Sequence, residues 1–236
     1  MLQTLIDGRS YGREAVHAWE DRRMAAVRRR LGLPSSSANR DDQRRELVEH
    51  KLSLGHDALR RRIGAGLWLS EQVARISVAT SGKARRFSVC EIHVAEGSAE
   101  AFARWFQARN DLDDETAMIA ACPDHYIISR DARGRQVVVE TTGGSPLPSE
   151  FTVDYSDVSS LRTPPDPAFP HQVAGVARLG DGLAIGGVRH QFRDDGGGFV
   201  ARLTVEFPAA MPGHMIAQHR WHLAVEFSNW IEAAAR

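Results

Sequence analysis

Cysteine is scarce in this sequence, and long apolar runs are missing from it. Two cysteines, Cys90 and Cys122, in a chain of 236 residues exclude the disulfide framework of a small secreted domain. The longest apolar stretches fall well short of the roughly 20 residues that a membrane-spanning helix needs. No charged-then-apolar leader stands at the N-terminus. We therefore expect a cytoplasmic protein that does not act in a membrane.

A net charge is also lacking, because 30 Lys and Arg residues balance 30 Asp and Glu residues. The balance is uneven along the chain: residues 1–86 hold 18 basic and 10 acidic residues, and residues 87–236 hold 12 and 20. Aromatic residues, which stack on bases in nucleic-acid interfaces, are not interleaved with the arginines. We therefore expect no nucleic-acid binding. The basic segment is expected to contact an acidic surface of the same chain or of a second copy.

Residues 1–85 are predicted to form a helical N-terminal segment. Apolar residues recur at helical spacing over residues 11–30 and, after a turn sequence that begins at Pro34, over residues 41–76 with breaks at Gly55 and at Gly64-Ala65-Gly66. A segment this small needs a surface on which to bury its apolar stripe. We expect it either to cover a cavity or to mediate formation of a homodimer.

Residues 86–236 are predicted to form one α+β domain. A strand with alternating apolar residues, FSVCEIHV, precedes two helices, six further strand patterns and a last helix from about Pro212 to Ala235. Short turns favour antiparallel pairing, and the last helix must bury a broad apolar face. This order implies the helix-grip, or START-like, fold: a curved antiparallel sheet around a long C-terminal helix, with a cavity between them. A cone-shaped sheet of the nuclear-transport-factor type is the alternative, but its long helices come early.

The last helix carries polar residues inside an apolar stretch, HRWHLAVEFSNW. His222 and Glu226 are four positions apart, so both side chains project from one face and can reach one metal ion. Imidazole nitrogen and carboxylate oxygen are ligands that zinc accepts. The flanking apolar residues indicate a buried face, where an uncompensated carboxylate would be costly. A His–Glu hydrogen bond in the core is the alternative, and His219 could replace His222 as a ligand.

A predicted hairpin brings a second His and Glu together. With a four-residue loop, Asp131 to Gly134, the pairing sets His125 opposite Glu140, and facing residues share one side of a sheet. With the helix pair, these residues predict a site of two His and two carboxylates at a cavity floor. A divalent ion bound there would lower the pKa of a water molecule. Cys122 is either a further, soft ligand or a small buried residue.

The stretch HLAVEFSNW resembles the final-helix motif, His-x-x-x-Glu-aromatic-x-Asn, of the 2,4-diacetylphloroglucinol hydrolase family. The resemblance implies a zinc-dependent enzyme that cleaves the carbon-carbon bond between an acyl group and a phenolic ring. It also implies that His125 and Glu140 complete a zinc site with His222 and Glu226. The stretch VRHQFRDDGGGF resembles the family's His-x-x-Arg-Asp strand end, which makes His190 a candidate acid or base.

Further residues are candidates for catalytic or supporting roles. Tyr126 and Tyr155 could bind a phenol oxygen, although either could instead pack in the sheet with its hydroxyl at the edge. His171 lies in a loop pattern and could reach the mouth of the cavity. Asn229 follows Glu226 by one turn and could orient its carboxylate.

The leading hypothesis is a zinc-dependent hydrolase that acts on a carbon-carbon bond of an acyl-phenol or a polyketide-like ketone. A non-catalytic helix-grip module that binds a hydrophobic ligand is a second hypothesis, in which the His and Glu residues form a hydrogen-bonded network. A third is a metal-free polyketide cyclase or dehydratase that uses His190 or Tyr126 as acid or base. Each hypothesis takes a small hydrophobic or phenolic partner.

Overall fold

The computed structural model has one antiparallel sheet with flanking helices. It describes residues 1–236, and only the solvent exposure of Gly144 is left out. The strands are β1 (Leu2–Ile6), β2 (Arg9–Gly12), β3 (Arg85–Val94), β4 (His125–Arg130), β5 (Gln136–Glu140), β6 (Ser149–Asp154), β7 (His171–Arg178), β8 (Ala184–Asp195) and β9 (Gly198–Pro208). The helices are α1 (Arg13–Arg30), α2 (Arg40–Ser81), α3 (Ala99–Asp111), α4 (Glu115–Ala120) and α5 (Gly213–Ala234), with a 3₁₀ turn at Thr142–Gly144. The nine strands lie in the order β2-β1-β3-β9-β8-β7-β6-β5-β4. The expected mixed fold, with a large antiparallel sheet and a C-terminal helix, is confirmed at this level.

The first two strands are an unexpected part of the sheet. Residues 2–12 lie in the N-terminal segment that we expected to be helical, but they form a hairpin in which β1 pairs with both β2 and β3. Asp7 and Gly8 make its turn with φ values of 51° and 74°, the left-handed backbone that Asp-Gly pairs adopt in two-residue hairpins. The prediction of a helical segment over residues 1–85 therefore misses the two strands at its start, and this dipeptide is the local signal for the hairpin.

The two long N-terminal helices pack on the sheet around β4 and β5. Their apolar side chains form a core with Tyr126, Ile127 and Val139; the other members are Met24, Val27, Leu47, Leu59 and Ile63 of the helices and Leu31 at the end of α1. Gly55 has a non-helical φ of 72° inside α2, so that this helix is interrupted at the first predicted break. The predicted break at Gly64-Ala65-Gly66 is wrong, because the helix continues through these residues. Neither helix, nor any other in the described chain, is long and apolar enough to cross a membrane.

Ion pairs join the basic N-terminal segment to the acidic remainder of the chain. Four of them reach from α1 or α2 to later elements: Arg13–Glu232, Arg23–Asp124, Arg60–Glu150 and Arg75–Asp181, with N–O distances between 2.6 and 2.9 Å. The prediction that the basic segment contacts an acidic surface is therefore confirmed within the chain itself.

The main core lies between α5, α3 and the strands β3, β8 and β9. The aromatic rings of Phe102, Phe106, Phe227 and Trp230 contact one another within it. Every residue of α5 from His222 to Ile231 is buried, so this part of the helix is enclosed on all sides. Polar side chains there must find their partners inside the protein.

The β4–β5 hairpin has the expected pairing at its open end but a different loop. His125 pairs with Glu140, as predicted, but Arg130 pairs with Gln136. The loop therefore spans residues 131–135 and is one residue longer than expected. A bulge at Tyr126 compensates, because it sets an extra residue of β4 between two consecutive pairs. The two departures cancel where His125 faces Glu140.

Candidate metal centre

Two residues of the last helix and two of the hairpin meet on the inner side of the sheet. His222 and Glu226 come from α5, and His125 and Glu140 occupy paired positions of β4 and β5. The exposed fraction is 0% for His125, 1% for His222, 6% for Glu140 and 8% for Glu226. The structure thus brings together the four residues that the sequence predicts as metal ligands.

The donor atoms of these residues lie close enough to surround one ion. The His125 Nε2 atom lies 3.2 Å from His222 Nε2 and 3.1 Å from Glu226 Oε2. It lies 3.7 Å from Glu140 Oε2, and His222 Nε2 lies 3.6 Å from each of the two carboxylate oxygens. Ligands of a tetrahedral zinc ion, each about 2 Å from the metal, are about 3.3 Å apart. These five separations lie near that value.

A backbone hydrogen bond sets the tautomer of His125. Its Nδ1 atom lies 3.2 Å from the carbonyl oxygen of Met118, and Nδ1 must donate because a carbonyl only accepts. The Nε2 atom of the neutral ring therefore holds a lone pair. That lone pair faces the Glu226 carboxylate at 3.1 Å, so that two acceptors meet unless a proton or a cation lies between them. The arrangement fits a bound cation.

Cys122 belongs to the same cluster. With His125 and His222 it forms a buried group that could bind a metal ion. The Cys122 Sγ atom lies 3.8 Å from Nδ1 of His222, whereas both carboxylates lie near Nε2 of that ring. The two nitrogens of an imidazole point in different directions. An ion at Nε2 beside the carboxylates therefore leaves Cys122 as the partner of the outer nitrogen, which orients the ring.

The buried carboxylates and imidazoles shift one another's pKa values. Burial raises the pKa of Glu226, but the neighbouring imidazoles of His125 and His222 outweigh burial and hold the pKa below its usual value. Burial lowers the pKa of His222, but Cys122 and the Glu140 carboxylate outweigh it and raise the pKa well above its usual value. Without a cation, a proton on His222 therefore supplies the positive charge of the cluster.

A cavity of about 360 Å³ opens onto these four residues. Its lining is mainly apolar and includes Val138, Phe151, Val188, Val205 and Met215. Cavities of this size hold small organic ligands, which are oriented by a few polar groups in a largely apolar wall. The cavity lies between sheet and C-terminal helix, where the order of elements predicts it.

Three further histidines line the cavity, and two of them, His190 and His219, are buried. His190 packs on Phe227 with ring centroids 4.7 Å apart, and its buried Nδ1 has no hydrogen-bond partner among the described residues. Burial lowers the pKa of His190 to about 4. Burial and the neighbouring His222 lower the pKa of His219 to about 3, and its Nδ1 lies 3.0 Å from Ser88 Oγ. Both rings are therefore neutral near pH 7. His222, rather than His219, is the ring that lies beside His125 and the two carboxylates.

Two candidate catalytic residues lie away from the cavity. Tyr126 occupies the bulge and packs with α1 and α2, where its Oη lies 3.0 Å from Arg30 Nη1 and 3.2 Å from Thr141 Oγ1. His171 is half-buried at the start of β7 and is not among the described residues that line the cavity. The expectation that these two side chains reach the substrate is therefore not met, because the bulge and the strand end direct them elsewhere.

Asn229 does not orient Glu226 as expected. Its Nδ2 donates to the carbonyl oxygen of Ala121 at 2.7 Å and to Glu20 Oε1 at 3.2 Å, and its Oδ1 accepts from Arg13. Residues three positions apart on a helix lie near each other, but these partners in α1 and after α4 occupy the Asn229 amide instead. Asn229 thus joins α5 to α1.

The sequence did not reveal the groups that hold the backbone around His125. Lys51 is 1% exposed and donates to the carbonyl oxygens of Pro123 at 2.8 Å and His125 at 2.5 Å. Arg23 donates two hydrogen bonds of 2.7 Å to the carboxylate of the buried Asp124. Both basic residues look like ordinary helix-surface charges in the sequence. Only the packing of α1 and α2 against β4 gives them this role.

No protein-family model matches the chain, and no curated protein matches it. The geometry described above is therefore the basis for assigning a function.

Proposed function

We propose that this chain is a zinc-dependent hydrolase that cleaves the carbon-carbon bond between an acyl group and a phenolic ring, in a fold of the START-like, helix-grip type. The observation that carries the proposal is the convergence of His125, Glu140, His222 and Glu226 at the floor of an apolar cavity. Two carboxylates and two neutral imidazoles balance the charge of one divalent ion. The final-helix motif resembles that of the 2,4-diacetylphloroglucinol hydrolase family, which supports this reaction among the hydrolyses that zinc serves.

A divalent ion held by these four residues would polarise an acyl carbonyl and lower the pKa of a water molecule. The chain itself orients the ligands. Met118 holds the ring of His125 through its carbonyl oxygen, and Thr142 Oγ1 donates to Glu140 Oε1 at 3.2 Å. Such outer partners fix the direction in which ligand lone pairs point. The apolar lining keeps bulk water from the reacting groups, which strengthens the electrostatic interactions inside.

Hydrolysis of an acyl-phenol adds the hydroxyl of water to the acyl carbon and a proton to the ring carbon. In this proposal His190 carries that proton. Burial lowers the pKa of this ring to about 4, so it is neutral near pH 7 and would hold the proton only briefly before passing it to the ring carbon. Packing on Phe227 at 4.7 Å holds the ring in the cavity wall.

A carrier of hydrophobic ligands is the second candidate function. The observation in its favour is that three of the four buried residues also lie within hydrogen-bond reach of one another, since His125 Nε2 is 3.1 Å from Glu226 and 3.2 Å from His222. With a proton on His222, one of the two negative charges of the cluster is compensated without an ion. A carrier would bind aryl ketones equally well after chelation and would release no product.

The test combines metal analysis with a product assay. Purified wild type and the His222→Ala/Glu226→Ala double variant are analysed for bound metal and incubated with acylated resorcinols and phloroglucinols. We expect one equivalent of zinc and equal amounts of free acid and deacylated phenol for the wild type only. Absence of stoichiometric metal from the wild type, or equal product from the double variant, would overturn the proposal. Binding that survives chelation without any product would favour the carrier.

A further inference from the structure

One part of the cavity wall is polar and belongs to none of the groups described so far. Tyr155 and Gln136 line the cavity, and the same two residues line a second, polar pocket beside Asn110. They therefore form the partition between the cavity and that outer pocket. Gln136 and Asn110 are 8% and 7% exposed, so their amide groups must find partners inside the protein.

Hydrogen bonds connect the partition into a chain that ends on the backbone. The Tyr155 Oη atom lies 2.9 Å from Gln136 Oε1. The amide nitrogen of Gln136 contacts the side-chain oxygen of Asn110. The Nδ2 atom of Asn110 lies 3.2 Å from the carbonyl oxygen of Phe106.

The carbonyl at the end of the chain decides its direction. The oxygen of Phe106 can only accept, so Asn110 must turn its NH₂ group toward Phe106 and its oxygen toward Gln136. Gln136 then donates with Nε2, which leaves its Oε1 facing Tyr155. An amide oxygen only accepts, so the tyrosine hydroxyl must donate to it. The orientation of both amides, which heavy-atom positions alone leave open, thus follows from one backbone group.

This direction determines what Tyr155 offers to the cavity. Its single proton is engaged by Gln136, and its Oη has no other hydrogen-bond partner among the described residues. The remaining capacity of the oxygen is that of an acceptor. Burial and the Glu226 carboxylate raise the pKa of Tyr155 above its usual value, so the phenol keeps the proton that it donates.

We propose that Tyr155 is a specificity-determining residue that accepts a hydrogen bond from the ligand in the cavity. The ligand is then an aromatic compound whose ring carries a hydroxyl or amino donor, and ethers and plain rings are bound less tightly. That the same ligand carries an acyl group toward His125 and Glu226 rests on the proposed function. The preference for a donor rests on the hydrogen-bond chain alone.

The experiment measures the Kd of substituted acetophenones for the full chain by isothermal titration, with and without zinc. The probes carry hydroxyl, amino, methoxy or methyl groups at ring position 3 or 4. Hydroxyl and amino donate, methoxy only accepts, and methyl controls for size. One extra hydrogen bond predicts binding of the best donor probe that is about five- to tenfold tighter than that of its methoxy and methyl partners.

Tyr155→Phe is expected to remove this preference, so that donor and methoxy probes bind within about twofold of one another. Tyr126→Phe is the matched control, because that hydroxyl packs with α1 and α2, and the preference should persist in it. Equal or tighter binding of the methoxy probes to the wild type would overturn the proposal. So would a donor preference that survives in Tyr155→Phe. Neither result depends on turnover, so a chain that lacks hydrolase activity still answers the question.

Discussion

Glu226→Gln is expected to remove most of the stabilisation that zinc gives the fold while keeping the shape of the site. The amide has the volume of the carboxylate, but it lacks the charge that faces both imidazoles at 3.1 and 3.6 Å. Free zinc at 100 times its Kd stabilises a protein that binds it only when folded by about 2.7 kcal/mol. For a chain of this length, that corresponds to a rise in Tm of about 5–10 °C.

The assay is thermal unfolding of chelator-treated protein before and after zinc is added back. Wild type and the His171→Gln control, which removes a histidine outside the cavity, should both show the full rise. Glu226→Gln should rise by less than about 2 °C, because a weakened site is only partly filled at the same zinc concentration.

An equal rise in Glu226→Gln and the wild type would refute the assignment of Glu226 as a ligand. Lack of any rise in the wild type would refute metal binding altogether. Far-ultraviolet circular dichroism establishes that each variant folds. If Glu226→Gln does not fold, Glu140→Gln provides the same comparison, since its carboxylate is 3.6 Å from His222.

Three further predictions concern single side chains. Cobalt-substituted protein should lack a thiolate-to-metal charge-transfer band, because Cys122 is not a ligand in this arrangement. Cys122→Ser should weaken metal binding by about tenfold, as loss of an outer partner does. A strong band would make Cys122 a ligand. The pKa of His190 is lowered from 6.5 to about 4, so the unfolded chain binds more protons between these values. In urea titrations, the wild type should therefore lose up to about 3 kcal/mol relative to His190→Gln as the pH falls from 6.5 to 4, and parallel pH profiles would contradict this. Gly143→Ala would place a Cβ atom 2.6 Å from the backbone nitrogen of His219, at a φ of 53°. It should therefore lower the free energy of unfolding by more than Gly8→Ala, where φ is 74° but the space is open and the loss should be about 1 kcal/mol. Equal urea midpoints for the two variants would contradict the clash.

The hairpin shows how far sequence reasoning reaches in this chain. A count across the loop pairs His125 with Glu140, and the structure has this pair. The count nevertheless assumes a four-residue loop and a regular strand, whereas the loop has an extra residue and Tyr126 forms a bulge. The two departures compensate because a bulge and a longer loop each shift the register by one. The bulge itself depends on packing against α1 and α2, which no local pattern encodes.

Side-chain direction is where prediction fails for the supporting residues. Asn229 is one turn from Glu226 in the sequence, yet its amide contacts Ala121 and Glu20. Lys51 reads as a surface charge, yet it is buried and donates to backbone carbonyls beside a predicted ligand. Each outcome depends on which distant element covers that face.

Two properties of this protein follow from the sequence by itself: the order of its main elements and the presence of His222 and Glu226 on one helical face. Both depend on local periodicity, which a helix of 3.6 residues per turn imposes on any chain. The tertiary structure alone decided that β1 and β2 extend the sheet, that Tyr126 lies outside the cavity and that Tyr155 donates a hydrogen bond to Gln136. These features depend on contacts between residues far apart in the chain, and the free energy of burying their polar groups is settled only when the elements pack together.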